Sequence, residues 1–318
     1  MSIPLLSLAE NYEKSKHLGS IPNKSNTEHL IQIYDPSWND DTMPYEVLTF
    51  LLDCYYCLPE RPDLATLFCW QAINNTYNRI VLSDNSCCGR QTDANSIYKL
   101  VTGVGDNISD YVDYLRPYYA SLTDNTYHFI ASIILKGYSA SEHGINEKYI
   151  NHSYYTFKKY FKDFWEEVDK SYGKAYKDIC SPSIVNGYKL DYGITNKKAS
   201  REIIHSFSMK IKELLTTGRT EITESSIPRD KKTITHNDAE NFKFVMFCVL
   251  YASRCNNFHG NVASRFNSIY AEENYYSTYY NLFLLEYIVL AISLNHIGVL
   301  STSALEKLKE NEKLIIPS

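Results

Sequence analysis

Apolar residues recur along most of the chain at the three- and four-residue intervals that place them on one side of a helix. Glycine and proline, which interrupt helices, are sparse at 12 and 10 residues in a chain of 318. The pattern therefore predicts an all-α fold. The expected helices span approximately residues 43–58, 63–82, 95–103, 107–119, 126–136, 146–170, 198–216, 236–256, 275–296 and 301–312.

Three segments break the helical pattern. Residues 1–43 are irregular, and LIQIY at 30–34 is predicted to be either a short strand or a hydrophobic anchor. Residues 181–196 combine proline, glycine and alternating apolar positions, which fits either a loop or a small hairpin. Residues 216–233 are polar and are predicted to be exposed. We therefore expect an irregular N-terminal segment, 1–43, followed by a helical domain over 44–318.

The overall charge argues against a protein that follows a long stretch of nucleic acid. The formal net charge is −5, whereas such proteins usually carry a clear basic excess. Any contact with nucleic acid should therefore be local, with a few phosphates at a cleft. Basic residues do cluster, and the simplest interpretation of each cluster is a solvated helix face or loop. The clusters are Lys158, Lys159 and Lys162; Lys197, Lys198 and Arg201; and Arg229, Lys231 and Lys232.

Cysteine usage points to a reducing compartment. The chain has eight cysteines, and its first residues lack the basic start and long apolar stretch of a secretion signal. Reduced thiols in a cytoplasmic protein are therefore expected. Cys54 and Cys57 together with Cys87 and Cys88 suggest zinc, but adjacent cysteines rarely both reach one tetrahedral ion. We expect no metal and no cofactor.

Residues 281–300 are nearly long and apolar enough to cross a bilayer. Glu286 stands near the middle of this stretch, where a carboxylate is costly in lipid. A core helix of a soluble bundle is therefore the favoured interpretation, and no membrane contact is expected.

The stretch RCNNFHG, residues 254–260, joins an arginine and a histidine at the end of an apolar helical pattern. Arg254 falls at the edge of the predicted buried face. His259 would lie roughly 140° around an ideal helix from Arg254. The two side chains can therefore meet only if the chain turns near Gly260 or if they meet across a partner subunit. A purely structural alternative is a helix C-terminus, where basic residues and glycine are favoured.

These residues resemble the signature of the HEPN superfamily, an arginine and a histidine separated by four to six residues near the end of a long helix. The apolar helix expected after the motif is present. A second resemblance is LATLFCWQAINNTYN at 64–78, where Trp70, Ala72, Asn74 and Tyr77 match a tryptophan-containing helix of that family. Residues 83–234 would then be a large helical insertion in a HEPN-like bundle.

The resemblance implies a dimer whose two R-x4-H motifs share one cleft, and metal-independent cleavage of RNA. Arg254 would clamp the phosphate and His259 would exchange protons as the RNA 2′-hydroxyl attacks phosphorus. Asn256 and Asn257 would position the substrate or the imidazole. Cys255 departs from the family, which often has Asn, Asp or His after the arginine.

Two further residues and several partners follow from the same resemblance. Asn74 either forms a hydrogen bond with a neighbouring helix or reaches the motif cleft, where it would contact the residues that bind RNA. Tyr77 is a candidate for the same supporting role. The implied partners are an RNA substrate, a second copy of the chain, and an antitoxin or activating protein, in a toxin or phage-defence system. The alternative is a catalytically silent HEPN-like module that binds nucleotide, RNA or protein.

Overall fold

The computed structural model describes residues 29–34, 43–83, 92–223, 231–258 and 273–317. Helices make up 74% of it, and the described residues contain two short two-stranded sheets. The predicted all-α class is therefore confirmed.

The helices follow the predicted order along the chain. They are α1 Tyr45–Cys57, α2 Pro62–Ser83, α3 Asp93–Asp106, α4 Val112–Ala120, α5 Asp124–Glu142, α6 His152–Tyr160, α7 Lys162–Val168, α8 Lys174–Lys177, α9 Lys197–Thr217, α10 Asp238–Phe244, α11 Tyr251–Phe258, α12 Glu273–His296 and α13 Thr302–Lys307. Short 3₁₀ helices are Ile108–Asp110, Glu147–Tyr149 and Leu308–Leu314, and π-helical segments are Asp169–Gly173 and Val245–Leu250. The strands are β1 Ser183–Val185, β2 Lys189–Asp191, β3 Arg219–Thr223 and β4 Lys231–Thr235.

The chain divides into two compact units. Unit 1 contains Met1–Thr123 and Ser253–Ser318, and unit 2 contains Asp124–Ala252. Unit 2 is thus a continuous segment between the two parts of unit 1. Its boundaries differ from 83 and 234, where the sequence analysis placed the ends of an insertion.

The core of unit 1 is built around α12, which packs on α2. This helix is apolar on all sides, as expected for a helix that is covered all round. The stretch Asn274–His296 has the length and mean hydropathy, 1.3, of a membrane span, and 94% of its most apolar window is buried inside the structure. Asn281 joins it to its surroundings, because its side-chain amide donates to the carbonyl oxygens of Ser121 and Ile316.

The LIQIY segment is a hydrophobic anchor, and residues 29–34 contain no strand. The side chain of Ile33 is 1% exposed, and its backbone N–H donates to the Tyr287 hydroxyl at 2.6 Å. The Ile31 N–H donates to the Asn311 side chain at 2.8 Å. Of the two predicted alternatives, the anchor is therefore the one observed.

Unit 2 contains both hairpins. β1 and β2 pair antiparallel, which confirms the hairpin alternative for 181–196. β3 and β4 form a second antiparallel pair, which the sequence did not predict, although most of the described residues of 216–233 are exposed as expected. Thr220, Ile222 and Ile234 are buried. Thr220 and Ile222 are two positions apart, as expected for one face of a strand, and Ile234 is the one buried residue of β4. An alternation this short among charged residues was not enough to predict the strands.

Two predicted helices are locally altered. The region 146–170 is divided into separate helices at Phe161, whose φ and ψ of −126° and 57° are not helical. The region 236–256 is one continuous helical run over 238–258, with the π-helical segment Val245–Leu250 in its middle. Asn237 and Glu240 form a capping box at its start, as N-cap chemistry requires.

Candidate functional site

Arg254 stands on α11, near the end of the long helical run. Its side chain is 23% exposed, which matches the predicted position at the edge of the buried face. The residues just before it, Ala252 and Ser253, are buried. The helix backbone therefore fixes where the arginine stem starts, while part of the guanidinium group is accessible to solvent.

Asp93, in the first turn of α3, is an ion-pair partner of Arg254. The Arg254 Nη2 and Asp93 Oδ2 atoms are 3.6 Å apart, and the Asp93 side chain is 42% exposed. The start of α3 is fixed by Thr92, whose side chain accepts from the Asn95 N–H. A pair this exposed and this long contributes little to stability. Its main consequence is that an incoming phosphate must compete with the Asp93 carboxylate for Arg254.

The sequence analysis did not single out Asp93. Acidic residues are common in the first turn of a helix because they interact favourably with its N-terminal dipole, and Asp93 fits that ordinary role. What brings it to Arg254 is packing between residues far apart in the chain. No local pattern in the sequence indicates that Asp93 and Arg254 lie close together.

The remaining motif residues are described only in part. Asn256 and Asn257 lie in the helical backbone of α11, and their side chains are outside the described part of the structure. His259 and Gly260 lie outside the described residues altogether. The convergence of His259 on Arg254, and the positioning roles of the two asparagines, therefore stay predictions.

The tryptophan-containing helix is α2, and its matching residues are mostly part of the core. Trp70, Ala72 and Tyr77 are each at most 1% exposed. The Trp70 and Tyr77 rings meet edge to face, with centroids 6.5 Å apart. Aromatic pairs in this geometry add to the stability that burial provides. Their observed contacts give Trp70 and Tyr77 a structural role within unit 1.

Asn74 forms a hydrogen bond within its own helix. Its side chain is half-buried, and its carbonyl oxygen accepts a hydrogen bond from the Asn78 side-chain amide at 2.7 Å. Asn78 lies one turn further along the same helix, so this bond is neither to a neighbouring helix nor to Arg254. The apolar flanks of Asn74 in the sequence had suggested deeper burial than the structure has.

Four of the six described cysteines are buried, and Cys57 and Cys255 are half-buried. Cys54 and Cys69 are fully buried in unit 1, and the Cys54 thiol donates to the Ala65 carbonyl oxygen at 3.4 Å. Burial raises the pKa of the Cys69 thiol well above its ordinary value. Within the described residues, no group of three or more His, Cys, Asp or Glu side chains could hold a metal ion. Cys87 and Cys88 lie outside that part of the chain.

Comparison of the chain with protein-family models, with curated proteins and with solved structures finds no match. The likeness to the HEPN superfamily therefore rests on residues of this chain alone, at 64–78 and 254–260. Among the described side chains of the proposed site, that of Arg254 is charged and partly accessible to solvent. A guanidinium in this setting can bind one phosphate through two hydrogen bonds.

Proposed function

We propose that the protein is a metal-independent endoribonuclease of the HEPN type. The observation that carries the proposal is the position of Arg254, which is partly accessible at the end of a buried helix and paired with a carboxylate at 3.6 Å. The pair between Arg254 and the exposed Asp93 carboxylate is weak, so the guanidinium can exchange this carboxylate for a phosphate. The apolar helix α12, which follows in the chain, matches the order of elements that the motif implies.

The reaction follows from the chemistry of RNA and of the two motif residues. The 2′-hydroxyl loses its proton and attacks the adjacent phosphorus, the bond from phosphorus to the 5′-oxygen breaks, and that oxygen gains a proton. The products carry a 2′,3′-cyclic phosphate and a 5′-hydroxyl. Arg254 leaves Asp93 and binds the phosphate, where its permanent charge stabilises the phosphorane. The imidazole of His259 titrates near neutrality and transfers protons.

The remaining parts of the proposal concern assembly and context. Two chains would form one composite site, so that two histidines supply the acid and the base. The protein would act in the cytoplasm as a toxin or in phage defence, with an antitoxin or an activating protein as its regulator. Asn256 and Asn257 would orient the phosphate or the imidazole.

RNA cleavage in the presence of EDTA tests the proposal. Arg254→Ala and His259→Ala should each abolish cleavage that the parent performs. Arg201→Ala and His143→Ala are matched controls, because both residues are exposed and belong to unit 2. These controls should cleave at the parental rate. Equal cleavage by the parent and His259→Ala, with both proteins folded, would refute the assignment of the site.

A catalytically silent module is the second candidate, and the Asp93 contact favours it. A guanidinium that stays with its carboxylate is not available for phosphate, and the helix end would then be structural. RNA binding without turnover, at equal affinity in the parent and in His259→Ala, would select this candidate. Sedimentation of the parent at assay concentration tests the proposed dimer independently of cleavage.

A further inference from the structure

Unit 2 contains a cavity of about 350 Å³. It lies where the end of α6, the start of α7, β4 and α10 come together. Its volume is within the range of small-molecule sites in proteins. None of the residues discussed above for RNA cleavage lines it.

Lysines dominate the charge of this cavity. Among the described residues, the lining contains Lys159, Lys162, Lys232 and Lys243 but only two carboxylates. The lysines come from two of the basic clusters of the sequence and from α10. Folding therefore converts separate groups of surface charge into one concave basic site, which the individual clusters did not suggest.

Four lysines and two carboxylates give the lining a formal net charge of +2. The Glu240 carboxylate accepts the Asn237 N–H at 2.9 Å as part of the capping box. The other carboxylate, Asp163, is exposed. Lys232 also pairs with Glu167, a residue that does not line the cavity and whose Oε1 atom is 3.2 Å from the Lys232 ammonium nitrogen. Lys159 and Lys162 are exposed, and Lys243 is half-buried with its ammonium group over the Tyr160 ring.

Tyr160 brings two of these ammonium groups together. The Lys159 and Lys243 nitrogens lie 4.8 and 4.7 Å from the centroid of the Tyr160 ring. They are therefore within about 9.5 Å of each other, which is the sum of those two distances. The Tyr160 ring is itself stacked on Phe247, with centroids 4.9 Å apart. Cation–π contact with a fixed ring restricts where each flexible lysine can point.

The inner wall of the cavity is apolar. Phe161, Phe164 and Ile234 are buried and contribute to the lining. A low-dielectric wall strengthens the field of nearby charges, because water screens them less. An anion in this cavity would therefore experience more of the lysine charge than it would on an open surface.

We propose that this cavity binds the oligophosphate group of a small anion, with Lys159, Lys162 and Lys243 as its cationic contacts. Several ammonium groups facing one space repel each other, and a ligand with several negative charges relieves that repulsion. Lysine ammonium groups bind phosphate as point charges without requiring one fixed geometry. A diphosphate can bridge two nitrogens that are no more than about 9.5 Å apart, whereas a single carboxylate carries too little charge for three.

Calorimetric titration of the full chain with pyrophosphate, at constant ionic strength and without metal, tests the proposal. The double variant Lys159→Gln/Lys162→Gln should bind at least tenfold more weakly than the parent. The control double variant is Lys158→Gln/Lys231→Gln, which removes the same charge from the same regions. Neither Lys158 nor Lys231 lines the cavity. The Lys158 ammonium lies 5.2 Å from the centroid of the Trp165 ring, and the Lys231 ammonium pairs with Glu221 at 3.6 Å. The control should change the affinity by less than twofold.

Three ligands distinguish the source of the phosphate. Tighter binding of pyrophosphate than of inorganic phosphate supports an oligophosphate site. Tighter binding of ATP than of pyrophosphate identifies a nucleotide, and equal binding identifies the phosphate chain alone. Equal losses in the two double variants, or no saturable binding by the parent, would overturn the proposal, because only diffuse charge would then remain.

A measurement on the unmodified protein covers the case in which the lysine variants do not fold. Pyrophosphate should protect Lys159, Lys162 and Lys243 from acetylation, as mapped by mass spectrometry, and should leave Lys158 and Lys231 reactive. Equal acetylation of all five lysines with and without pyrophosphate would overturn the proposal. Neither outcome bears on Arg254, so the proposed ribonuclease and the proposed phosphate site succeed or fail separately.

Discussion

Replacing Glu286 with glutamine should change how the stability of the protein depends on pH. Glu286 lies on α12 in the core of unit 1 and is 1% exposed. Its Oε2 atom is buried without a hydrogen-bond partner among the described residues. Burial raises the pKa of the Glu286 carboxyl well above its ordinary value, and the Cys54 thiol raises it further. Burial in the folded protein therefore favours the neutral form of this carboxyl.

The sign of the pH dependence follows from proton binding. Above about pH 4.3 the unfolded chain releases the proton of Glu286 while the folded protein retains it. The free energy of unfolding therefore falls by about 1.4 kcal/mol for each pH unit between the unfolded and folded pKa values. If the carboxyl stays protonated up to pH 7, its burial costs about 3.7 kcal/mol at that pH.

Glutamine has nearly the same shape and cannot ionise, so Glu286→Gln removes this pH-dependent cost. Its buried amide still lacks partners, which costs about 1–3 kcal/mol at every pH. The variant should therefore be no more stable than the parent at pH 5 and clearly more stable at pH 8. Urea unfolding of both proteins at pH 5, 6, 7 and 8 measures the difference. Glu202→Gln, at an exposed position on α9, is the matched control.

The diagnostic quantity is the slope of that difference with pH. A rise approaching about 1.4 kcal/mol per unit over part of the range supports a neutral buried carboxyl. A difference that stays constant from pH 5 to pH 8 would show that Glu286 is ionised in the folded protein. The reasoning from burial would then be wrong.

Three further predictions concern other contacts. Asp93→Asn should change the free energy of unfolding by less than about 1 kcal/mol, because the pair is partly exposed, and it should tighten RNA binding in an anisotropy titration by freeing Arg254. Gly137→Ala should destabilise unit 2 by about 1–3 kcal/mol in urea unfolding, because the new Cβ would lie 2.4 Å from the Tyr154 Cβ atom. Burial lowers the pKa of His236, although Glu240 and Asn241 partly oppose this, so the folded protein should lose stability as the pH falls below about 6.5. His236→Gln should lose less stability between pH 7 and pH 5, and an equal loss in both proteins would contradict that assignment.

Local patterns were sufficient to predict most of the helices. The apolar spacing located α2, α9 and α12 to within a few residues, because each of these helices buries side chains repeatedly along its length. The same patterns did not predict the break at Phe161 or the π-helical segment Val245–Leu250. All residues of Val245–Leu250 are buried, so helical periodicity could not locate the change of backbone there. Phe161 lies in an ordinary amphipathic pattern, and no glycine or proline marks the break.

Contacts between distant residues account for what the sequence did not predict at the candidate site. Arg254 and Asp93 are 161 positions apart, and neither residue type indicates the other. Lys159 and Lys232 belong to clusters that looked like separate solvated faces, and only the fold places both around one cavity. The candidate role of Arg254 came from the sequence motif, whereas its ion-pair partner came from the structure.

The chemical form of the cleaved RNA end tests the central claim most directly. The parent protein should cut RNA in EDTA and leave a 2′,3′-cyclic phosphate, identified by the mass of the product, and His259→Ala should yield no such product. Products that end in a 3′-hydroxyl, or cyclic-phosphate products formed equally by His259→Ala, would contradict the account.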